Sequence, residues 1–172
     1  MNLKESEKSI SYLKEQMGVL QHHDAVTGTE LEPVTSDYEL KLFRSIQKNK
    51  HIVDDAYKKL LPKSSGNSVP NQVFCDSLNI SWCEITEGNQ PIAVTLYNPI
   101  GTNVSKYISL PVDGKKNFDV FDPLGKLIKS VVSPIASFIQ KIPGRKSKAT
   151  YQLTFKVNLP PIGYATYLLM QN

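Results

Sequence analysis

The chain contains no apolar run approaching the roughly 20 residues that a membrane-spanning helix requires. Its first twelve residues, MNLKESEKSISY, lack the apolar core of a secretory leader, so no signal peptide is expected in this chain. It carries little net charge: 20 basic and 16 acidic residues leave +4. The cations are mostly scattered, which argues against a nucleic-acid partner. The one dense cluster, KIPGRKSK at Lys141–Lys148, contains Pro143 and Gly144 and reads as a solvated loop rather than a phosphate-binding patch. No internal repeat is visible, and there is a single tryptophan, Trp82. The chain has three histidines and two cysteines, and none of the spaced-ligand signatures of the strong zinc motifs.

What is present is the composition of a folded globular chain: 172 residues, 40% of them hydrophobic, enough to bury a core. Residues 3–20 predict an amphipathic helix, with Ile10, Leu13, Met17 and Leu20 at three- and four-residue steps. No cap precedes it, so the chain is expected to begin inside the helix. Residues 36–61 predict a second helix. Ser36 and Glu39 would form its capping box, and Tyr38, Leu42, Phe43, Ile46, Val53, Ala56 and Leu60 its apolar side, with Pro62 ending it. Two helices bury little by themselves, so the pair is expected to pack against elements outside the chain. Residues 63–71 have the composition of a linker.

From residue 72 the pattern changes to short β-branched and aromatic runs. These are Gln72–Phe74, Ile92–Tyr97, Lys106–Leu110, Phe118–Phe121, Val131–Val132, Tyr151–Val157 and Ala165–Leu169. Alternation is clearest in Tyr151–Val157, whose odd positions would face a core. Asn98-Pro99-Ile100-Gly101 and Asp122-Pro123-Leu124-Gly125 have the form of β-turns. The expected fold class is α+β by segregation. An antiparallel helical-bundle segment (1–62) is followed by the linker (63–71) and an antiparallel β-sandwich (72–172).

The chemistry concentrates in Gln21-His22-His23-Asp24-Ala25-Val26-Thr27-Gly28-Thr29. Neighbouring side chains on a helix point about 100° apart, so both imidazoles cannot easily serve one metal. One could ligate with the other beside it. Alternatively the pair sits near a helix C-terminus, where the dipole favours imidazolium. Spacing alone leaves both readings open. Cys75 and Cys83 flank the sequon Asn79-Ile80-Ser81, and a second sequon is Asn103-Val104-Ser105. Together they favour an oxidising, glycosylating compartment, and the absence of a leader is then explained if the chain is a fragment of a longer secretory protein.

Met17-Gly18-Val19-Leu20-Gln21-His22-His23-Asp24-Ala25-Val26-Thr27-Gly28-Thr29-Glu30, followed by Asp37-Tyr38, resembles the motif region of the family 38 α-mannosidases, lysosomal (acid) branch. Three later blocks are collinear with it: Phe74-Cys75 through Leu78-Asn79-Ile80-Ser81 to Cys83, then Val94–Gly101, then Leu110-Pro111-Val112. The resemblance covers nearly the whole chain. It implies a zinc-dependent retaining hydrolase acting on terminal α-mannose of N-glycans through an enzymic nucleophile and a separate acid/base group. It implies His23 as a ligand of one Zn2+ whose remaining ligands lie outside this chain. It also implies Asp24 as a contact to substrate hydroxyls, with His22 beside the same sugar site. It further implies a Cys75–Cys83 disulfide, worth roughly 2–3 kcal/mol by loop entropy, and a glycan on Asn79, with Asn103 a second acceptor. The parent would be lysosomal or secreted.

The chain departs from the family pattern after Glu30, where Leu31-Glu32-Pro33 stands, and this would reshape the turn before the second helix. It also lacks the N-terminal catalytic domain with the nucleophile. Asp54-Asp55 reads as solvated helix-face charge. The isolated chain is therefore expected to be inactive. Two other readings stand beside this one. In the first, a carbohydrate-binding or interaction sandwich uses Tyr97, Tyr107 and Tyr164 as stacking surfaces. In the second, the chain is a truncated gene product with no independent function.

Overall fold

A computed structural model describes residues 3–61, 69–88, 90–114 and 117–172. The chain divides into two compact units, Met1–Gln72 and Val73–Asn172. Helices occupy the first and antiparallel strands in two sheets the second, so the chain is α+β with its elements segregated. The linker expected at 63–71 falls mostly on residues 62–68, outside the described residues. No helix among the described residues is long and apolar enough to cross a membrane.

The first unit holds α1 (Leu3–Val19), α2 (His23–Thr27) and α3 (Glu32–Leu60). The capping box expected at Ser36 and Glu39 does not form, because α3 already begins at Glu32 and Ser36 lies inside it. Pro33 accounts for the earlier start. It occupies the first turn, where its fixed φ suits a helix and its missing N–H has no partner to lose. Leu31 is the N-cap, without a side-chain cap bond. At the other end Leu61 is extended (φ −69°, ψ 140°), as a residue before proline prefers.

Helices α1 and α3 pack together through polar residues: Ser6, Gln16, Ser45 and Asn49 are the buried ones. The Asn49 amide donates to Ser9 O (3.0 Å) and Ser45 O (2.8 Å), and Ser45 Oγ donates to Leu42 O (2.7 Å). Lys48 Nζ lies 4.7 Å above the Tyr12 ring. Ile10, Met17, Phe43, Ile46, Val53 and Leu60, expected as the apolar sides, are exposed. Leu13, Leu20, Tyr38, Leu42 and Ala56, expected on the same apolar sides, are half-buried.

Asp54, expected as a solvated charge, is tied on both oxygens. Oδ2 pairs with Lys58 Nζ at 2.6 Å and Oδ1 accepts the Gln72 amide at 2.6 Å. This second bond explains why the strand expected at Gln72–Phe74 is not formed. The first amide of that segment is already satisfied by a side chain, and the chain runs on irregularly into the Cys75 loop.

The second unit contains β1 (Ile92–Asn98), β2 (Val104–Val112), β3 (Phe118–Phe121), β4 (Leu127–Ile128), β5 (Ser130–Pro134), the short α4 (Ser137–Gln140), β6 (Tyr151–Leu159) and β7 (Gly163–Gln171). One sheet has the order β1-β7-β3-β4 and the other β2-β6-β5, all pairs antiparallel. Between them lies one apolar cluster including Leu110, Val112, Val120, Leu153, Phe155, Tyr167 and Leu169. The alternation read in β6 places Leu153, Phe155, Val157 and Leu159 inward.

At Asp122–Gly125 the turn closes with Gly125 N donating to Asp122 O at 2.9 Å, and the Asp122 carboxylate accepts the Leu124 and Lys126 amides. Gly125, with φ +77°, takes the left-handed position. The corner at Asn98 is held by its buried side chain instead. Its amide donates to Thr102 O and Pro160 O, both at 2.8 Å, while Oδ1 accepts Ile100 N at 3.2 Å. Pro160 lies in the segment that carries the chain from β6 in one sheet to β7 in the other.

Candidate functional site

The His-His-Asp run lies between α1 and α3, on α2. Leu20, Gln21 and His22 donate back to Gln16, Gly18 and Val19 as α1 unwinds. His22 becomes the N-cap of α2, and its Nδ1 accepts the Asp24 amide at 3.4 Å. The histidines thus stand just past the C-terminus of α1 and at the same time open α2. His22 thereby caps the first turn of α2 with its ring. At the other end Gly28 (φ +70°) is left-handed; its amide reaches Ala25 O (3.2 Å) and the Thr29 amide reaches Asp24 O (3.0 Å). Both bonds belong to a Schellman ending, which needs a residue free to take positive φ.

This framing brings His22, His23 and Asp24 together, with ligand atoms all within 4.8 Å. The imidazole centroids are 4.2 Å apart, tilted by 47°. His23 Nε2 stands 3.5 Å from Asp24 Oδ2, and the two side chains are 82% and 46% exposed. The other Asp24 oxygen, Oδ1, accepts from Thr29 Oγ1 at 2.9 Å. Thr27 Oγ1 contacts both His23 O and, at 3.0 Å, Thr29 Oγ1.

Two imidazoles and a carboxylate are donors that zinc accepts. The donor set fits one corner of a zinc site, and its exposure leaves room for ligands from elsewhere.

The Cys75–Cys83 disulfide is present, with Cα atoms 5.1 Å apart. It closes a loop containing a 3-10 turn at Leu78–Ile80, with Ser81 left-handed (φ 51°) and a bridge between Ser77 and Trp82. The basic segment is the loop it was read as, with Lys141, Lys146 and Lys148 exposed, but one of its residues, Arg145, clamps the disulfide loop. Arg145 Nε donates to Ile80 O (2.9 Å), and an Nη donates to Ser81 O and Ala149 O (2.8 Å each). Ser147 Oγ donates to Glu87 at 2.7 Å, and the same carboxylate accepts the Lys148 amide at 3.1 Å. Arg145 thus pairs with backbone carbonyls rather than with a carboxylate.

Comparison with known proteins adds to this geometry. Residues 1–60 match the family profile "Alpha mannosidase middle domain", and residues 128–169 the profile "Lysosomal alpha-mannosidase-like, central domain". The lysosomal alpha-mannosidase of Mus musculus is 37% identical over 157 residues, 90% of this chain. That of Homo sapiens is 34% identical over 160 residues, and the alpha-mannosidase of Canavalia ensiformis 30% over 177, each across 92% of this chain. These matches support a central fragment of the lysosomal-type α-mannosidases. It spans 14% of the length of the mouse and human relatives and 18% of the plant one.

The remaining residues singled out in the sequence, the two sequons and the three tyrosines of the carbohydrate-binding reading, are distributed as follows. Asn79 is exposed on the disulfide loop, and Asn103 is exposed just before β2. Tyr97 and Tyr164 are cross-strand partners on β1 and β7, while Tyr107 is on β2 in the other sheet, so the three rings do not form one platform. Sequence reasoning missed Thr29, Arg145 and the double attachment of Asp54. For Thr29 a signal existed, a hydroxyl five residues after the motif carboxylate and directly after the glycine that ends α2.

Proposed function

We propose that this chain is part of a zinc-dependent retaining α-mannosidase that removes terminal α-mannose from N-glycans. Residues 1–62 would be part of the middle helical domain carrying the site and residues 72–172 a β-sandwich domain. The observation carrying the reading is the pairing of His23 Nε2 with Asp24 Oδ2 at 3.5 Å on an exposed, glycine-terminated helix, in a chain of mannosidase sequence. His23 supplies a neutral imidazole to one Zn2+. That ion would bind vicinal mannose hydroxyls and favour distortion of the ring. Asp24 accepts hydrogen bonds from sugar hydroxyls through its exposed oxygen, and His22 holds the start of α2 and flanks the sugar.

A single histidine cannot hold a catalytic zinc, and the nucleophile and acid/base group would belong to a domain that the relatives' extra length would supply. The partners are therefore a mannose-bearing oligosaccharide and that catalytic domain. Lysosomal or secretory residence is supported by the relatives' names, the disulfide and the exposed sequons Asn79 and Asn103.

The purified 172-residue chain should neither hydrolyse p-nitrophenyl α-mannoside nor bind zinc at micromolar concentration. Turnover accompanied by micromolar zinc affinity would sink the claim of shared ligands. In a mannosidase carrying this chain as its central segment, His23→Ala should remove zinc and activity together.

A further inference from the structure

The geometry points to Thr29 as a positioning residue for Asp24, an inference that rests on the sugar-contact role given to Asp24 above. A carboxylate that is half exposed on a five-residue helix has several rotamers open to it. Here one oxygen is fixed, with Thr29 Oγ1 donating to Asp24 Oδ1 at 2.9 Å. The remaining oxygen, Oδ2, is thereby left toward His23 Nε2, where the metal and sugar would meet.

Thr29 can do this because its backbone is independently anchored. The Thr29 amide donates to Asp24 O at 3.0 Å in the turn that Gly28 makes possible. One residue therefore grips Asp24 twice, by amide to carbonyl and by hydroxyl to carboxylate. The Thr-Gly-Thr triplet after α2 is thus both the helix stop and the orienting device for the carboxylate. Only the hydroxyl is specific to the second task.

Separating the two tasks gives the test. Thr29→Val keeps the amide and removes the hydroxyl, whereas Thr29→Ser keeps both. In the full 172-residue chain, side-chain three-bond NMR couplings should show one Asp24 χ1 rotamer in the wild type and Thr29→Ser, and averaging in Thr29→Val. Backbone shifts of residues 23–28 should match in all three. An Asp24 rotamer unchanged in Thr29→Val overturns the proposal.

In a mannosidase carrying this chain, Thr29→Val should raise KM about tenfold with kcat nearly constant and zinc content full, and Thr29→Ser should restore KM. An unchanged KM in Thr29→Val beside a raised KM in Asp24→Asn overturns the positioning role alone. An unchanged KM in Asp24→Asn brings down the sugar-contact role and the positioning role with it.

Discussion

Arg145 carries more of the second unit's architecture than its surroundings suggest. Each of its three guanidinium nitrogens donates to an acceptor, and two of those acceptors, Ile80 O and Ser81 O, are 65 and 64 residues away. Arg145→Ala should lower stability by about 2–4 kcal/mol, since it strands several carbonyls at once. Arg145→Lys should recover less than half of that, because a single ammonium cannot span carbonyls that a planar fork reaches together. Urea unfolding of the three proteins decides it, and a lysine variant as stable as the wild type would refute the account. A cation whose partners are backbone carbonyls leaves no complementary charge in the sequence, so Arg145 could not be told from the exposed Lys141, Lys146 and Lys148 around it. His23 and Asp24 were legible because adjacent residues need no fold to bring them together. Thr29 needed the left-handed Gly28 to turn its hydroxyl back, and that geometry is visible only in three dimensions.

Among the elements, those with a strict period were legible and those decided by one competing bond were not. Strand β6 follows its alternation because its inner face meets a core and its outer face does not. Helix α3 starts at Glu32 because Pro33 prefers a first turn more strongly than Ser36 prefers a cap. The segment at Gln72–Phe74 had strand composition, but Asp54 takes its first amide.

That attachment has a pH signature. The hydrogen bond from Lys58, and then the Gln72 amide, hold the Asp54 carboxyl below its ordinary value of 3.8. A carboxyl with a depressed folded pKa contributes stability that is complete above the unfolded value and lost as pH falls through the folded one. The stability difference between the wild type and Asp54→Asn should therefore be constant from about pH 7 to about pH 5 and shrink below about pH 4. Denaturation curves across that range test it; a difference that does not shrink in acid would rule out the carboxylate as its source.

At the scale of the whole molecule, the division into Met1–Gln72 and Val73–Asn172 places the two chemical features apart in sequence, the His-His-Asp cluster in one unit and the disulfide in the other. Trp82, the single tryptophan, lies in the disulfide-closed loop, so its fluorescence reports on the second unit. Reducing Cys75–Cys83 should lower the stability read from that signal by roughly 2–3 kcal/mol. An unmoved urea midpoint after reduction would show that the Arg145 and Glu87 contacts hold the loop without the covalent link. The broad arrangement, helices then strands, was legible from the change of period near residue 72. The long-range ties within each unit were not.

The hydrogen-bonded seam of α1 and α3 has one more consequence. Asn49 and Ser45 dictate which residues of the two helices meet, because a one-turn slip would strand the Asn49 amide away from Ser9 O. Ile46, Val53 and Leu60 are exposed, while Leu13, Leu42 and Ala56 are half-buried. Alignment is thus encoded by Ser45 and Asn49, and cohesion by half-buried apolar residues that fix no register. An engineer who replaced Ser45 and Asn49 with alanine and leucine would gain adhesion between the helices and surrender the information that tells them where to stop sliding.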